Sequence, residues 1–136
     1  MSVFKDAEEL YECIGGLFDW ARQEPEIANE LKTAGFVVRL TYTEPDCALT
    51  VDLRDRVEWH RGDAGLAPDV EFLMKGDVGH RFWLGKVNLL IALAKRDIKS
   101  KGSLNKALKI LPRLKPLYPQ YPKILEKKGK TQLARA

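Results

Sequence analysis

Near the start of the chain, apolar residues recur at three- and four-residue steps, at Ala7, Leu10, Tyr11, Ile14, Leu17, Phe18 and Ala21. Asp6, Glu8, Glu9 and Glu12 fill the gaps between them. The spacing predicts an amphipathic helix whose first turn carries the negative charge that a helix N-terminus favours. Gly15 and Gly16 sit inside it, where each costs about 1 kcal/mol relative to alanine. Either the helix bends there or something packs closely on its backbone. Pro25 suits a first helical position and Gly35 a C-terminal stop, framing a second helix with Ile27, Leu31 and Ala34 inward.

The period then drops to two. Phe36, Val38, Leu40 and Tyr42 alternate with Val37, Arg39, Thr41 and Thr43, so large apolar groups share one face of a strand. Glu44-Pro45-Asp46 reads as a turn. Cys47, Leu49, Val51 and Leu53 repeat the alternation, as do Val57 and Trp59, giving a three-strand antiparallel meander with one oily face. After a loop marked by Gly62-Asp63-Ala64-Gly65 and Pro68, a fourth strand presents Val70, Phe72 and Met74. Asp77 is placed to cap a short helix to Leu84, and Asn88 to cap another over 89–95. Ile98 to Gly102 reads as a lysine-rich edge strand. Ser103 is placed to open a helix with a Leu104, Leu108 and Leu111 stripe. Pro112, Pro116, Pro119 and Pro122 argue against further helix, although Ile124 and Leu125 can pack. The predicted class is α+β, a five-stranded, mostly antiparallel sheet covered on one face by helices. One domain is expected over residues 1–126, with 127–136 fraying.

The 136 residues are 45% hydrophobic, enough for one core without metal or disulfide support. Charges follow directly on Met1-Ser2-Val3-Phe4, without an apolar leader. The longest apolar run, 89–94, is far below the roughly 20 residues that span a bilayer. Cys13 and Cys47 have no metal-ligand spacing and suit a reducing compartment, so a cytoplasmic protein is expected. Charge is unevenly spread. From Lys95 onward thirteen Lys or Arg face only Asp97 and Glu126, whereas residues 1–94 carry ten bases and seventeen acids. The C-terminal third therefore suits an anionic surface, or is simply a solvated basic face. Tyr118 and Tyr121 are few aromatics for a nucleic-acid stacking platform.

Catalytic chemistry finds little footing. His60 stands at a strand end and His80 near a helix start, neither within a motif, and both suit structural or surface roles. No phosphate loop, nucleophile elbow or metal-binding pattern occurs, so no cofactor, metal or catalytic residue is expected.

The succession from Asp69 to Leu111 is the most specific part of the chain. A Met-containing strand meets a Gly-Asp turn and an aromatic helix, which Gly85-Lys86 breaks. An apolar helix then leads into Ile98-Lys99-Ser100-Lys101-Gly102 and a Leu104 to Leu108 stripe. This order resembles the sterol carrier protein 2 sterol-binding domain family. The resemblance implies non-catalytic binding, and intracellular transfer, of fatty acyl chains, sterols or phospholipids in an apolar tunnel between sheet and helices. Its walls would be Phe36, Val38, Leu40, Leu49, Val51, Trp59, Phe72 and Met74 from the sheet, with Phe82, Trp83, Leu90, Leu93, Leu108 and Leu111 from the helices. Lys106, Lys109, Arg113 and Lys115 would dock on anionic headgroups. The chain departs from the family in ending Leu133-Ala134-Arg135-Ala136, not in a Ser-Lys-Leu peroxisomal address, and in its proline-rich C-terminal segment. The same apolar residues serve a packed core equally well. In that case the protein is a binding module for an anionic partner, nucleic acid or acidic protein, through its C-terminal lysines.

Overall fold

In the computed structural model, which describes residues 2–135, the alternating stretches pair into one open sheet. Its strands are β1 (Val37–Thr43), β2 (Cys47–Asp52), β3 (Glu58–Arg61), β4 (Val70–Lys75) and β5 (Ile98–Gly102), in the order β3-β2-β1-β4-β5. The meander forms as expected, with Leu40 opposite Leu49 and Val51 opposite Trp59. The fourth strand returns to the other side of β1 and runs parallel to it, with Leu40 opposite Phe72 and Tyr42 opposite Met74. β5 closes that edge antiparallel. The sheet is thus mixed, with one parallel pair among antiparallel ones. Because β1 is hydrogen-bonded on both sides, its alternation sets the register of everything around it.

The first helix, α1, spans residues 7–23 as α-helical Ala7–Leu10, a π-helical stretch Tyr11–Gly15 and α-helical Gly16–Gln23. Its two glycines are there for close approach. A Cβ at Gly15 would lie 2.3 Å from the Trp59 ring, and one at Gly16 would lie 2.9 Å from Lys128 Cε. The remaining helices are α2 (Pro25–Lys32), α3 (Gly76–Trp83), α4 (Leu89–Lys95), α5 (Leu104–Ile110), α6 (Gln120–Lys127) and α7 (Thr131–Ala134), with a 3-10 helix Leu111–Leu117 between α5 and α6.

Two caps differ from expectation. Asn88 accepts from the Ile91 N–H as predicted. Asp77 does not cap its own helix; it accepts from the Val3 N–H at 2.7 Å and fastens the N-terminal segment to α3. Ser103 occupies the cap position of α5 without a side-chain bond.

The C-terminal segment departs furthest from the sequence reading. Pro112 and Pro116 lie in the 3-10 helix, and Pro122 falls in the first turn of α6, where no intrahelical N–H bond is lost. The segment from Lys127, expected to fray, is docked as far as it is described; Ala136 lies outside the described residues. Lys130 Nζ reaches Glu9 at 3.0 Å and Glu12 at 3.6 Å on α1. His80, fully buried, binds the Leu133 carbonyl at 2.9 Å and the Tyr121 hydroxyl at 2.8 Å. A carbonyl only accepts, so Nε2 carries the proton and Nδ1 accepts from Tyr121. These are side-chain anchors between distant segments, which helical periodicity does not register.

Candidate functional site

The sheet turns its apolar face to the helices, and a cavity of about 80 Å³ lies between them. β1 contributes Val38, Leu40 and Tyr42 to its wall, with Phe36 just before that strand. Val51 and Leu53 come from the β2 side, Phe72 and Met74 from β4, and Ile98 from β5. Opposite them stand Phe18 of α1, Leu31 of α2, Phe82 and Trp83 of α3, and Leu89 of α4, with Ala107 and Ile110 of α5 and Leu111 and Leu114 of the 3-10 helix. Among the described residues no charged one lines it.

Aromatic rings meeting edge to face stiffen one end. Trp83 contacts Phe18 at 5.5 Å and Phe82 at 5.0 Å between centroids, and Phe82 contacts Tyr118 at 5.8 Å. Such pairs are worth about 0.5–1.5 kcal/mol each beyond their buried area. Gly85, at φ +80°, lets the chain turn directly against Tyr118.

Of the residues predicted to form the wall, Phe36, Val38, Leu40, Val51, Phe72, Met74, Phe82, Trp83 and Leu111 converge on this cavity. Five others lie elsewhere. Leu49 is fully buried in the core but outside the wall. Trp59 is spent on α1, with its ring against Gly15, stacked on Tyr11 at 6.2 Å, and its Nε1 donating to Asp19 at 2.8 Å. Leu90 points to solvent with 58% of its surface exposed, because α4 turns Leu89 and Ala92 inward. Leu93 and Leu108 pack half-buried beside the core. On α5 and the 3-10 helix that continues it the inward stripe is Ala107, Ile110, Leu111 and Leu114, not the one drawn through the more conspicuous leucines 104, 108 and 111. Sequence reasoning also left out of the wall Phe18, Leu31, Tyr42, Leu53, Leu89 and Ile98. Tyr42, Leu53 and Leu31 carried a signal, since each continued an apolar face already identified.

The predicted docking cations are partly engaged. Lys106 Nζ lies 3.4 Å from Asp69 and Arg113 Nε 3.1 Å from Glu30, whereas Lys109 and Lys115 are exposed. Burial pushes the Cys13 thiol up to about 12 and the Cys47 thiol up to about 11, so both are protonated at neutral pH. Among the described residues no group of His, Cys, Asp or Glu is arranged to hold a metal ion, and no helix is long and apolar enough to cross a membrane.

An open five-stranded sheet with its helices on one face and an apolar cavity between the two layers is the sterol carrier protein 2 fold. The chain superposes on sterol carrier protein 2 from Yarrowia lipolytica with a TM-score of 0.65 at 18% identity, over 77% of this chain and 89% of that one. The sterol carrier protein domain 2 of Helicoverpa armigera gives 0.68 at 15%, over 81% and 88%. Sterol carrier protein 2 from Aedes aegypti, solved in complex with palmitate, gives 0.53 at 15%, over 68% and 94%. No family model matches the sequence, and no curated protein matches it.

Proposed function

We propose that this protein binds lipid tails between its sheet and helices, without acting on them chemically, and carries them through the cytoplasm. The observation that carries this reading is the wall. Side chains from every strand but β3 and from six helical segments turn apolar groups on one space and bring no charge to it. A lipid tail there would gain roughly 25 cal/mol per Å² of apolar surface removed from water. The structural likeness to a protein solved with palmitate is consistent with this. At about 80 Å³ the cavity is small beside the roughly 300–1,000 Å³ of ordinary ligand pockets, so a tail must widen it.

Docking belongs to the same reading. Leu90 and Ile91 are 58% and 53% exposed on the outer side of α4, whose inner side supplies Leu89 to the cavity wall. Exposed Lys95 and Arg96 stand at the C-terminal end of the same helix, so it suits an anionic bilayer better than the more paired set on α5 and the 3-10 helix.

The deciding experiment is native mass spectrometry of the protein purified from cells, followed by organic extraction and displacement by a fluorescent fatty acid. Co-purified or exchangeable lipid supports the carrier. A protein that arrives empty and takes up no added lipid refutes it.

A further inference from the structure

The cavity wall holds two side chains with a nitrogen or oxygen atom, Tyr42 and Trp83. Tyr42 is 2% exposed, and its hydroxyl has no hydrogen-bond partner among the described residues. Burial keeps the Tyr42 phenol protonated, well above its ordinary value, and the Trp83 indole, which opposes that shift, lies close by without closing a hydrogen bond to the hydroxyl. Buried hydroxyls are nearly always paired, so an orphan beside a cavity needs a reason.

The ring is held where it is. Gly79 of α3 packs against it so closely that a Cβ there would lie 2.5 Å from Tyr42 Cε1. The opposite end of the cavity is wholly apolar. Val38, Leu40 and Tyr42 follow one another along β1, about 14 Å from first to last at about 3.4 Å per residue, with Phe36 beyond Val38. The space therefore has an apolar length, and the covered Tyr42 hydroxyl is a polar group that widening at this end would open. A carboxylate or phosphate at that end would be buried with no counter-charge in the wall, which is costly. A neutral oxygen needs only the one donor that Tyr42 offers.

We propose that the Tyr42 hydroxyl, at the Gly79 end of the cavity, donates a hydrogen bond to the oxygen of a neutral-headed lipid, such as a long-chain alcohol or ketone, inserted head first. This rests on the lipid-binding reading above. It separates neutral-headed lipids, read by Tyr42, from charged fatty acids, whose heads remain in water.

The test compares delipidated wild type with Tyr42→Phe, measuring dodecanol, dodecane and laurate by displacement of an uncharged fluorescent probe. Dodecanol should bind the variant about five- to tenfold more weakly, the scale of one neutral hydrogen bond. Dodecane and laurate should be unchanged, and the melting temperature of the empty variant should not fall, because the hydroxyl it loses was unpaired. Dodecanol shifting no more than dodecane overturns the assignment. A loss for laurate equal to that for dodecanol overturns the neutral-head selectivity. If wild type takes up none of the three, the lipid-binding reading fails and this inference with it. Uptake with equal affinity by both proteins removes only the role of Tyr42.

Discussion

Ala107→Leu puts a larger side chain into the cavity from the helix side. Ala107 is 3% exposed on α5 and lines the wall, and leucine is nearly as good a helix former as alanine. At about 24 cal/mol per Å³, an unfilled 80 Å³ costs roughly 2 kcal/mol. The three added carbons would return up to about 2 kcal/mol by burial at ~0.8 kcal/mol each, less any strain from an imperfect fit. The expected result on delipidated protein is a net gain of about 1 kcal/mol. Thermal unfolding should then rise by roughly 4 °C, with at least tenfold weaker uptake of a fluorescent fatty acid. Stability and binding move in opposite directions only if the space is both real and the site of uptake. A fall of several degrees with unchanged uptake would refute the reasoning, because it would mean that the core there is already full and that lipid binds elsewhere or not at all.

Gly15→Ala removes a helix-interior glycine, a gain of about 1 kcal/mol by propensity alone, but its Cβ meets three Trp59 ring atoms at 2.3–2.7 Å. Overpacking of about 1–3 kcal/mol, with the Trp59 bond to Asp19 displaced, should leave a net loss in urea unfolding; a more stable variant would sink this account. Burial is the main cause holding His80 below its usual value near 6.5, so the unfolded chain binds more protons as pH falls through that value. Stability should be full above about pH 7, decline toward pH 5 by at most about 1.4 kcal/mol per pH unit, and decline less in His80→Gln. Asp52 is held low chiefly by Arg54, and Asp69 by the Val37 N–H, so their contributions should disappear only at more acid pH. Leu90→Ser with Ile91→Ser should leave the melting temperature unchanged and weaken sedimentation with anionic vesicles; undiminished sedimentation would reject α4 as the docking helix.

The sequence made the sheet and most of its cavity face legible because strand alternation assigns a face residue by residue. Phe36, Val38, Leu40, Val51, Phe72 and Met74 all reach the wall for that reason. Helices were less readable. Three or four residues per turn leave neighbouring stripes nearly equal in apolar content, so Leu108 was preferred to Ala107 although the smaller residue faces inward. Trp59 shares the oily face with Val51 but is taken up by Gly15 of a helix more than forty residues away, a pairing that no local pattern contains. The parallel return of β4 and the anchoring of α6 and α7 on His80 have the same origin. Both depend on contacts distant in sequence, whereas the prolines nearby give local signals against further helix.

These differences between the two walls also decide how a tail could enter. β1 is laddered to β2 on one side and β4 on the other, so Val38, Leu40 and Tyr42 cannot retreat without breaking backbone bonds. The facing wall has no such ladder. Leu111 and Leu114 ride on the 3-10 helix, where Pro112 and Pro116 donate no backbone hydrogen bond. An ion pair across the surface, Arg113 to Glu30, links that helix to α2 at 3.1 Å with 39% and 64% of the two side chains exposed. Exposed pairs of this kind are worth only about 0–1 kcal/mol and weaken with salt. Widening should therefore proceed by lifting the 3-10 helix, with Arg113 acting as a weak latch and not only as a docking charge. Arg113→Ala should speed release of a bound fluorescent fatty acid by up to about fivefold, in stopped-flow trapping without membranes, and high salt should speed wild type toward the same rate. A release rate indifferent to both would place the moving wall elsewhere.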